Sequence, residues 1–126
     1  MDQPPPFFLA VEDDGAIRRS IAKAADGLLG VRFAATGGEA IAALRGPLPR
    51  FVLLDFVLPD MDGLQVLRHL RADPRWAALP VVVFSSMQDA RRRAEALAAG
   101  ASDWVTKPDR PAELRDAVRA QCQRWA

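Results

Sequence analysis

Three continuous apolar runs, each ending abruptly at a polar or charged residue, constrain the fold of this chain more than any other feature. They are residues 7–11 before Glu12, residues 51–54 before Asp55, and residues 81–84 before Ser85. Runs without alternating polar residues are typical of strands that are buried on both faces, as in a parallel sheet. Two shorter segments, 31–34 and 104–106, are predicted to be the second and fifth strands.

Helices are predicted between the strands, because apolar residues recur there at helical spacing, as at Leu64, Leu67 and Leu70. Asp62 and Gln65 have the spacing of a capping box at the start of that helix. Short strands alternating with helices favour a parallel sheet covered on both faces. We therefore expect an α/β fold, a flavodoxin-like (βα)5 three-layer sandwich with five parallel strands in the order 2-1-3-4-5.

Other element boundaries follow from capping and breaking residues. Thr36 and Glu39 repeat the capping-box spacing, and a helix over roughly residues 88–99 is predicted to end at Gly100. Residues 1–6 are rich in proline and are expected to form a stiff lead-in to the first strand. We predict one domain over residues 1–126, because this length is typical of a single domain.

Composition narrows the functional classes. The chain is 50% hydrophobic and 26% charged, a composition that excludes intrinsic disorder. Its net charge of +1 gives no strong electrostatic field that would favour direct binding to nucleic acid or to a membrane. The single cysteine, Cys122, has no partner for an internal disulfide, and the first residues lack a signal peptide. No apolar run reaches the ~18 residues of a membrane span. We expect a cytoplasmic protein.

Polar residues stand where the predicted strands end: Glu12, Asp13, Asp55, Ser85 and Lys107. The carboxyl ends of parallel strands meet at one edge of the sheet, so we expect these side chains to converge there. Two carboxylates ~4 Å apart repel by about 4 kcal/mol at an effective dielectric near 20, so the cluster needs positive charge. Mg²⁺, a hard cation that prefers oxygen ligands, meets that need, and Lys107 supplies a second positive charge.

This set of residues predicts phosphoryl chemistry. A carboxylate can attack a phosphoryl group to form an acyl phosphate, which a metal ion and an ammonium group stabilise. Asp55 is the predicted nucleophile, with Glu12 and Asp13 as metal ligands. A hydroxyl at Ser85 can donate to a phosphoryl oxygen, and Lys107 can pair with its charge. The neighbouring acid, Asp14, is expected to cap the following helix instead.

Five segments together resemble the receiver domain of two-component response regulators, of the chemotaxis-type single-domain kind. They are residues 11–14, 54–63, 85–86, 100–104 and 107–108. The resemblance extends from about Phe7 to the last helix. It implies that a histidine kinase or a histidine phosphotransfer protein donates a phosphoryl group to Asp55 in a Mg²⁺-dependent reaction. It also implies a phosphoacceptor signalling protein that catalyses at most its own phosphorylation and dephosphorylation.

Further roles are implied only by this resemblance. Val57 would offer its backbone carbonyl to the metal, Ser85 would be the switch hydroxyl, and Trp104 the aromatic that turns inward after phosphorylation. The Lys107–Pro108 bond is often cis in the family. Val57 and Met87 stand at two positions that tune the access of water to the acyl phosphate, and their apolar side chains lead us to expect slow autodephosphorylation.

The sequence allows more than one partner and more than one function. An unidentified downstream protein is the expected partner, and a second copy could associate through the face from the fourth to the fifth helix. Trp76 and Trp125 are further candidates for interface anchors. One alternative is a pseudo-receiver that binds partners without phosphorylation. Another is a Mg²⁺-dependent aspartyl phosphohydrolase, which would need a second acid at the position that Val57 occupies.

Overall fold

The computed structural model describes residues 4–126, and the predicted lead-in therefore falls partly outside the described residues. Strands and helices alternate along the chain. The strands are β1 (Phe7–Val11), β2 (Gly30–Ala34), β3 (Val52–Leu54), β4 (Val81–Ser85) and β5 (Asp103–Thr106). The helices are α1 (Gly15–Ala25), α2 (Gly37–Ala43), α3 (Gly63–Arg71), α4 (Ala90–Ala98) and α5 (Pro111–Arg124), and a 3-10 turn lies at Pro74–Trp76.

The five strands form one parallel sheet in the order β2-β1-β3-β4-β5, which confirms the predicted topology. The register aligns the strand ends. Val11, the last residue of β1, pairs with Ala34 on one side and with Leu54 on the other. The residues that follow β1 and β3 therefore leave the sheet at neighbouring points of the same edge.

Helices cover both faces of the sheet and give the predicted three layers. On one face, α2, α3 and α4 enclose a cluster that includes Leu67 and Trp76. On the other face, α1 and α5 enclose a cluster in which the rings of Phe8 and Phe51 stack with centroids 4.8 Å apart. Because β1 lies between both clusters, all of its residues are buried, as its continuous apolar run predicts.

Side-chain caps fix where the helices begin. The capping box of α3 is complete, since the Asp62 carboxylate accepts from the Gln65 N–H and the Gln65 side chain accepts from the Asp62 N–H. At α2, the Thr36 hydroxyl accepts from the Glu39 N–H, but the Glu39 carboxylate accepts from the Ala35 N–H instead of from the Thr36 N–H. The second predicted box is therefore only half formed.

The fourth helix, which was expected over roughly residues 88–99, begins at Ala90, where the carboxylate of Asp89 caps it. One prediction about a single residue is wrong. Trp76 is not a surface anchor: it is 2% exposed, and its indole N–H donates to the Leu44 carbonyl oxygen at 3.2 Å. Gly100 follows α4 with a φ of +107°, which confirms it as the residue that ends this helix.

Within residues 4–126, none of the helices combines the length and apolarity of a bilayer span.

Candidate functional site

Three carboxylates converge beyond the carboxyl ends of two neighbouring strands. Glu12 and Asp13 directly follow β1, and Asp55 directly follows β3. One oxygen of each carboxylate lies within 4.8 Å of an oxygen of the other two. Asp14 is directed elsewhere, since its carboxylate accepts from the N–H groups of Ala16 and Ile17 and caps α1, as expected. The sheet topology thus brings together the acids that the sequence singled out.

Lys107 provides the counter-charge of this cluster. Its Nζ donates to Glu12 Oε2 at 2.8 Å and to Asp55 Oδ2 at 3.4 Å. The side chain is only 9% exposed, so water screens these interactions weakly. The backbone N–H of Lys107 donates to the Ser85 carbonyl oxygen at 2.8 Å, which holds the residue at the end of the sheet.

The Glu12 carboxylate is the buried member of an acidic pair, since Glu12 is 3% exposed whereas Asp13 is exposed. Desolvation raises the pKa of Glu12 above its usual value, and the charge of Asp55 adds to that rise. The hydrogen bond and charge of Lys107 act in the opposite direction. Three carboxylates facing one ammonium group leave an excess of negative charge and several oxygen donors. This donor set fits a hard divalent cation such as Mg²⁺.

Asp55 is held in place but remains accessible. Its Oδ1 accepts from the Val57 N–H at 3.2 Å, and its backbone N–H donates to the Val11 carbonyl oxygen at 3.0 Å. The side chain is 13% exposed, so a reactant can reach it from solvent. A carboxylate in this position can act as a nucleophile toward a phosphoryl group beside Lys107.

Ser85 and Trp104 lie on β4 and β5, the two strands beyond β3 in the sheet. Ser85 is the last residue of β4, and its Oγ accepts from the Met87 N–H at 3.2 Å. Trp104 pairs with Val83 and is 5% exposed. Its ring lies 5.1 Å from the ring of Phe56, the residue after Asp55. The indole therefore already points into the protein.

Val57 and Met87 line one cavity of about 200 Å³, whose lining begins at Phe56, the residue after Asp55. The other lining residues are Phe56, Leu58, Met61, Asp62 and Arg92. Val57 is 59% exposed, whereas Met87 is half-buried, so the cavity is open to solvent on the Val57 side. The two apolar side chains thus lie together near the predicted phosphoacceptor.

The cis peptide bond that the resemblance implies is absent. The Lys107–Pro108 bond is trans, the isomer that bonds before proline favour by about 0.5–1 kcal/mol.

One polar contact near the site was missed from the sequence. The Asp60 carboxylate accepts from the Gly37 N–H at 2.8 Å and from the Gly38 N–H at 2.9 Å. These contacts tie the loop between β3 and α3 to the start of α2. No short-range pattern could reveal them, because the partners are separated by 23 and 22 positions.

Comparisons with known proteins agree with this geometry. The family model of the response regulator receiver domain matches residues 8–119. The KDP operon transcriptional regulatory protein KdpE of Escherichia coli (strain K12) is 38% identical over 122 residues, which cover 92% of this chain and 51% of KdpE. The DNA-binding response regulator MtrA of Mycolicibacterium smegmatis is 41% identical over 88 residues, which cover 70% of this chain and 37% of MtrA. The chain thus spans about half the length, or less, of these curated relatives.

Solved structures of response regulators share the fold of this chain. The phosphorylated cyanobacterial phytochrome response regulator RcpA superposes with a TM-score of 0.89 at 28% identity, covering 97% of this chain and 94% of RcpA. The response regulator RPA3017 in red light signalling of R. palustris has a TM-score of 0.82 at 28% identity, covering 95% of this chain and 93% of that one. The family model and these relatives agree with the acidic cluster at the edge of the sheet. The chain belongs to the response regulator receiver domains of two-component systems.

Proposed function

We propose that this receiver domain accepts a phosphoryl group on Asp55 from a histidine kinase or a histidine phosphotransfer protein, in a reaction that requires Mg²⁺. The observation that carries the proposal is the convergence of Glu12, Asp13 and Asp55 within 4.8 Å, with Lys107 hydrogen-bonded to two of them. An accessible carboxylate between an acidic pair and an ammonium group suits phosphoryl transfer better than a structural role.

The transfer step follows from the position of Asp55. One of its carboxylate oxygens attacks the phosphorus atom of a phosphohistidine and forms the P–O bond of an acyl phosphate. The P–N bond breaks, and its electron pair stays on the imidazole nitrogen, which then takes up a proton. Lys107 Nζ, 3.4 Å from Asp55 Oδ2, donates to an oxygen of the arriving phosphoryl group.

The carboxylates of Glu12, Asp13 and Asp55 and the backbone carbonyl of Val57 would hold the Mg²⁺ ion. The bound ion supplies positive charge that stabilises the phosphoryl oxygens during transfer. Because Glu12 is buried and its pKa is raised by desolvation, a cation is the natural partner for its charged form.

Phosphorylation would be transmitted through Ser85 and Trp104. The Ser85 oxygen accepts a hydrogen bond from Met87, so its own proton is free to be donated to a phosphoryl oxygen. Trp104 is already directed inward, and phosphorylation would stabilise that arrangement. The surface of α4, β5 and α5 would then change its affinity for a downstream protein or for a second copy of the chain.

The domain is proposed to work as a signalling protein and not as an enzyme with an external substrate. A phosphohydrolase would need a second acid two positions after the nucleophile, and Val57 stands there. A pseudo-receiver would be expected to lack part of the metal pair or the lysine, whereas Glu12, Asp13 and Lys107 are all present. The net charge of +1 favours protein partners over direct contact with nucleic acid.

The proposal is tested by incubating the wild type and Asp55→Asn with acetyl phosphate or a phosphorylated histidine kinase, with Mg²⁺ or with a chelator. We expect the wild type alone, and only with Mg²⁺, to gain the mass of one phosphoryl group, and size measurements would then report any dimer. A folded wild type that stays unmodified would favour the pseudo-receiver. Repeated turnover of a phosphomonoester would favour the hydrolase.

A further inference from the structure

The loop between β3 and α3 carries two of the residues that are proposed to hold Mg²⁺. It begins at Asp55, contains Val57, and reaches α3 at Gly63. Its base is closed by the Gly63 N–H, which donates to the Phe56 carbonyl oxygen at 2.7 Å, and by an isolated antiparallel bridge between Val57 and Asp62. The tip of the loop lies beyond these two contacts and needs a separate anchor.

Asp60 supplies that anchor at the tip. Its two carboxylate oxygens each accept from a different backbone N–H at the start of α2, Gly37 at 2.8 Å and Gly38 at 2.9 Å. The contact is close-fitting, since a Cβ atom on Gly37 would lie 2.5 Å from Cγ of the adjacent Met61. The tip is thus held both by two charge-assisted hydrogen bonds and by the fit of Met61 against a residue without a side chain.

The anchor is electrostatic and lies at the surface. The hydrogen bonds from Gly38 and Gly37 lower the pKa of Asp60 below its usual value, so the carboxylate is charged at neutral pH. Asp60 itself is exposed and is not part of either core cluster. Removal of its side chain would therefore release the tip of the loop without opening a cavity in the interior.

We infer that Asp60 is a positioning residue for the metal site, because it anchors the tip of the loop whose base carries the Val57 carbonyl. The inference rests on the proposed function, which makes that carbonyl a metal ligand. Asp60 is not among the residues that would hold the metal. It restricts the loop so that binding Mg²⁺ requires less ordering of the backbone.

The test compares Mg²⁺ binding by calorimetry in the wild type, Asp60→Ala, Asp60→Asn and the control Asp73→Ala. Asp73 is a matched control, since its carboxylate also caps a helical turn by accepting from a backbone N–H, that of Arg75, but lies outside this loop. We expect the Mg²⁺ dissociation constant to rise about tenfold in Asp60→Ala. Asp60→Asn keeps one acceptor oxygen, so its dissociation constant for Mg²⁺ should lie between those of the wild type and Asp60→Ala. The dissociation constant of Asp73→Ala should match that of the wild type.

Phosphorylation by acetyl phosphate gives a second readout. In Asp60→Ala the rate should drop at low Mg²⁺ and return to the wild-type rate at saturating Mg²⁺, which a general loss of structure would not produce. A wild type that binds no Mg²⁺ would overturn the proposed function itself. Equal Mg²⁺ affinities of the wild type and folded Asp60→Ala would overturn only the role of Asp60. A phosphorylation rate of Asp60→Ala that stays low at saturating Mg²⁺ would do the same.

Discussion

Lys107 and Glu12, 95 positions apart in sequence, form a hydrogen-bonded ion pair of 2.8 Å in which both side chains are less than 10% exposed. The pair joins the end of β5 to the end of β1 across β3 and β4. Because β1 and β5 are not neighbours, this contact requires that β3 and β4 have assembled between them.

Replacing Lys107 by methionine should destabilise the folded domain. The change leaves Glu12 and Asp55 close together without their ammonium partner, and removing one member of a buried ion pair costs about 3 kcal/mol. Denaturant unfolding without Mg²⁺ measures this loss. Lys23, the only other lysine in the sequence, is exposed on α1, and Lys23→Met serves as the control with little expected change.

Added Mg²⁺ should stabilise Lys107→Met more than it stabilises the wild type, because the ion then provides the missing positive charge. Equal stabilisation of the two proteins would argue that Lys107 and the metal do not share the same carboxylates. Equal unfolding midpoints of Lys107→Met and wild type without metal would contradict the ion-pair argument.

The phosphorylated wild type should lose its phosphoryl group slowly. Val57 and Met87 line one cavity with Phe56, the residue after Asp55, and offer no polar group to orient an attacking water. Val57→Asn and Met87→Gln should each accelerate dephosphorylation, by about tenfold. The rate is followed by the decay of the phosphorylated mass after removal of the donor.

Leu48 offers a matched control for these substitutions, since it is an apolar residue with 54% exposure in another loop. Leu48→Asn should leave the lifetime unchanged. A wild-type lifetime of seconds, or equal lifetimes in all four proteins, would count against a role for Val57 and Met87.

Trp104 should be shielded from solvent before and after phosphorylation. It is 5% exposed and contacts the ring of Phe56, so its inward position does not wait for the phosphoryl group. Comparing acrylamide quenching of the wild type with that of Trp104→Phe separates the fluorescence of Trp104 from that of Trp76 and Trp125. We expect phosphorylation to change the quenching of Trp104 little. A large decrease in its quenching on phosphorylation would mean that the indole is exposed to solvent in the unphosphorylated protein.

Cys122 should react slowly with alkylating reagents while the domain is folded. Burial raises the pKa of its thiol from 9.0 to about 11, so at pH 8 the thiolate is about one part in a thousand instead of about one in ten. Between about pH 9 and 11 the unfolded chain loses this proton while the folded chain keeps it, so stability falls as the pH rises through that range. Iodoacetamide labelling at pH 8 with and without denaturant measures the difference, and equal rates would contradict it.

The central strands and the acidic site were predictable because their signals are local. Each continuous apolar run ends at a charged or polar residue, and the parallel topology then places Glu12 beside Asp55 without further information. The start of α3 was equally clear, since Asp62 and Gln65 form both bonds of one capping box.

Contacts between residues far apart in sequence were not predictable. The burial of Trp76 depends on the Leu44 carbonyl, 32 positions away. The guanidinium of Arg71 donates two hydrogen bonds to the Gly100 carbonyl oxygen, 29 positions away, and its side chain fills the space that a Cβ at Gly100 would need. Such pairs have no spacing rule, because only the folded chain packs Arg71 of α3 against the loop after α4, and Trp76 against the end of α2.

The strand order has a consequence for synthesis of the chain on the ribosome. The acids after β1 and β3 emerge early, whereas the lysine that pairs with Glu12 and Asp55 belongs to the segment after β5, the last strand made. A growing polypeptide therefore carries these two carboxylates before it carries the ammonium group beside them. Under the proposed function, the phosphoryl-accepting site would be complete only when the final strand joins the edge of the sheet.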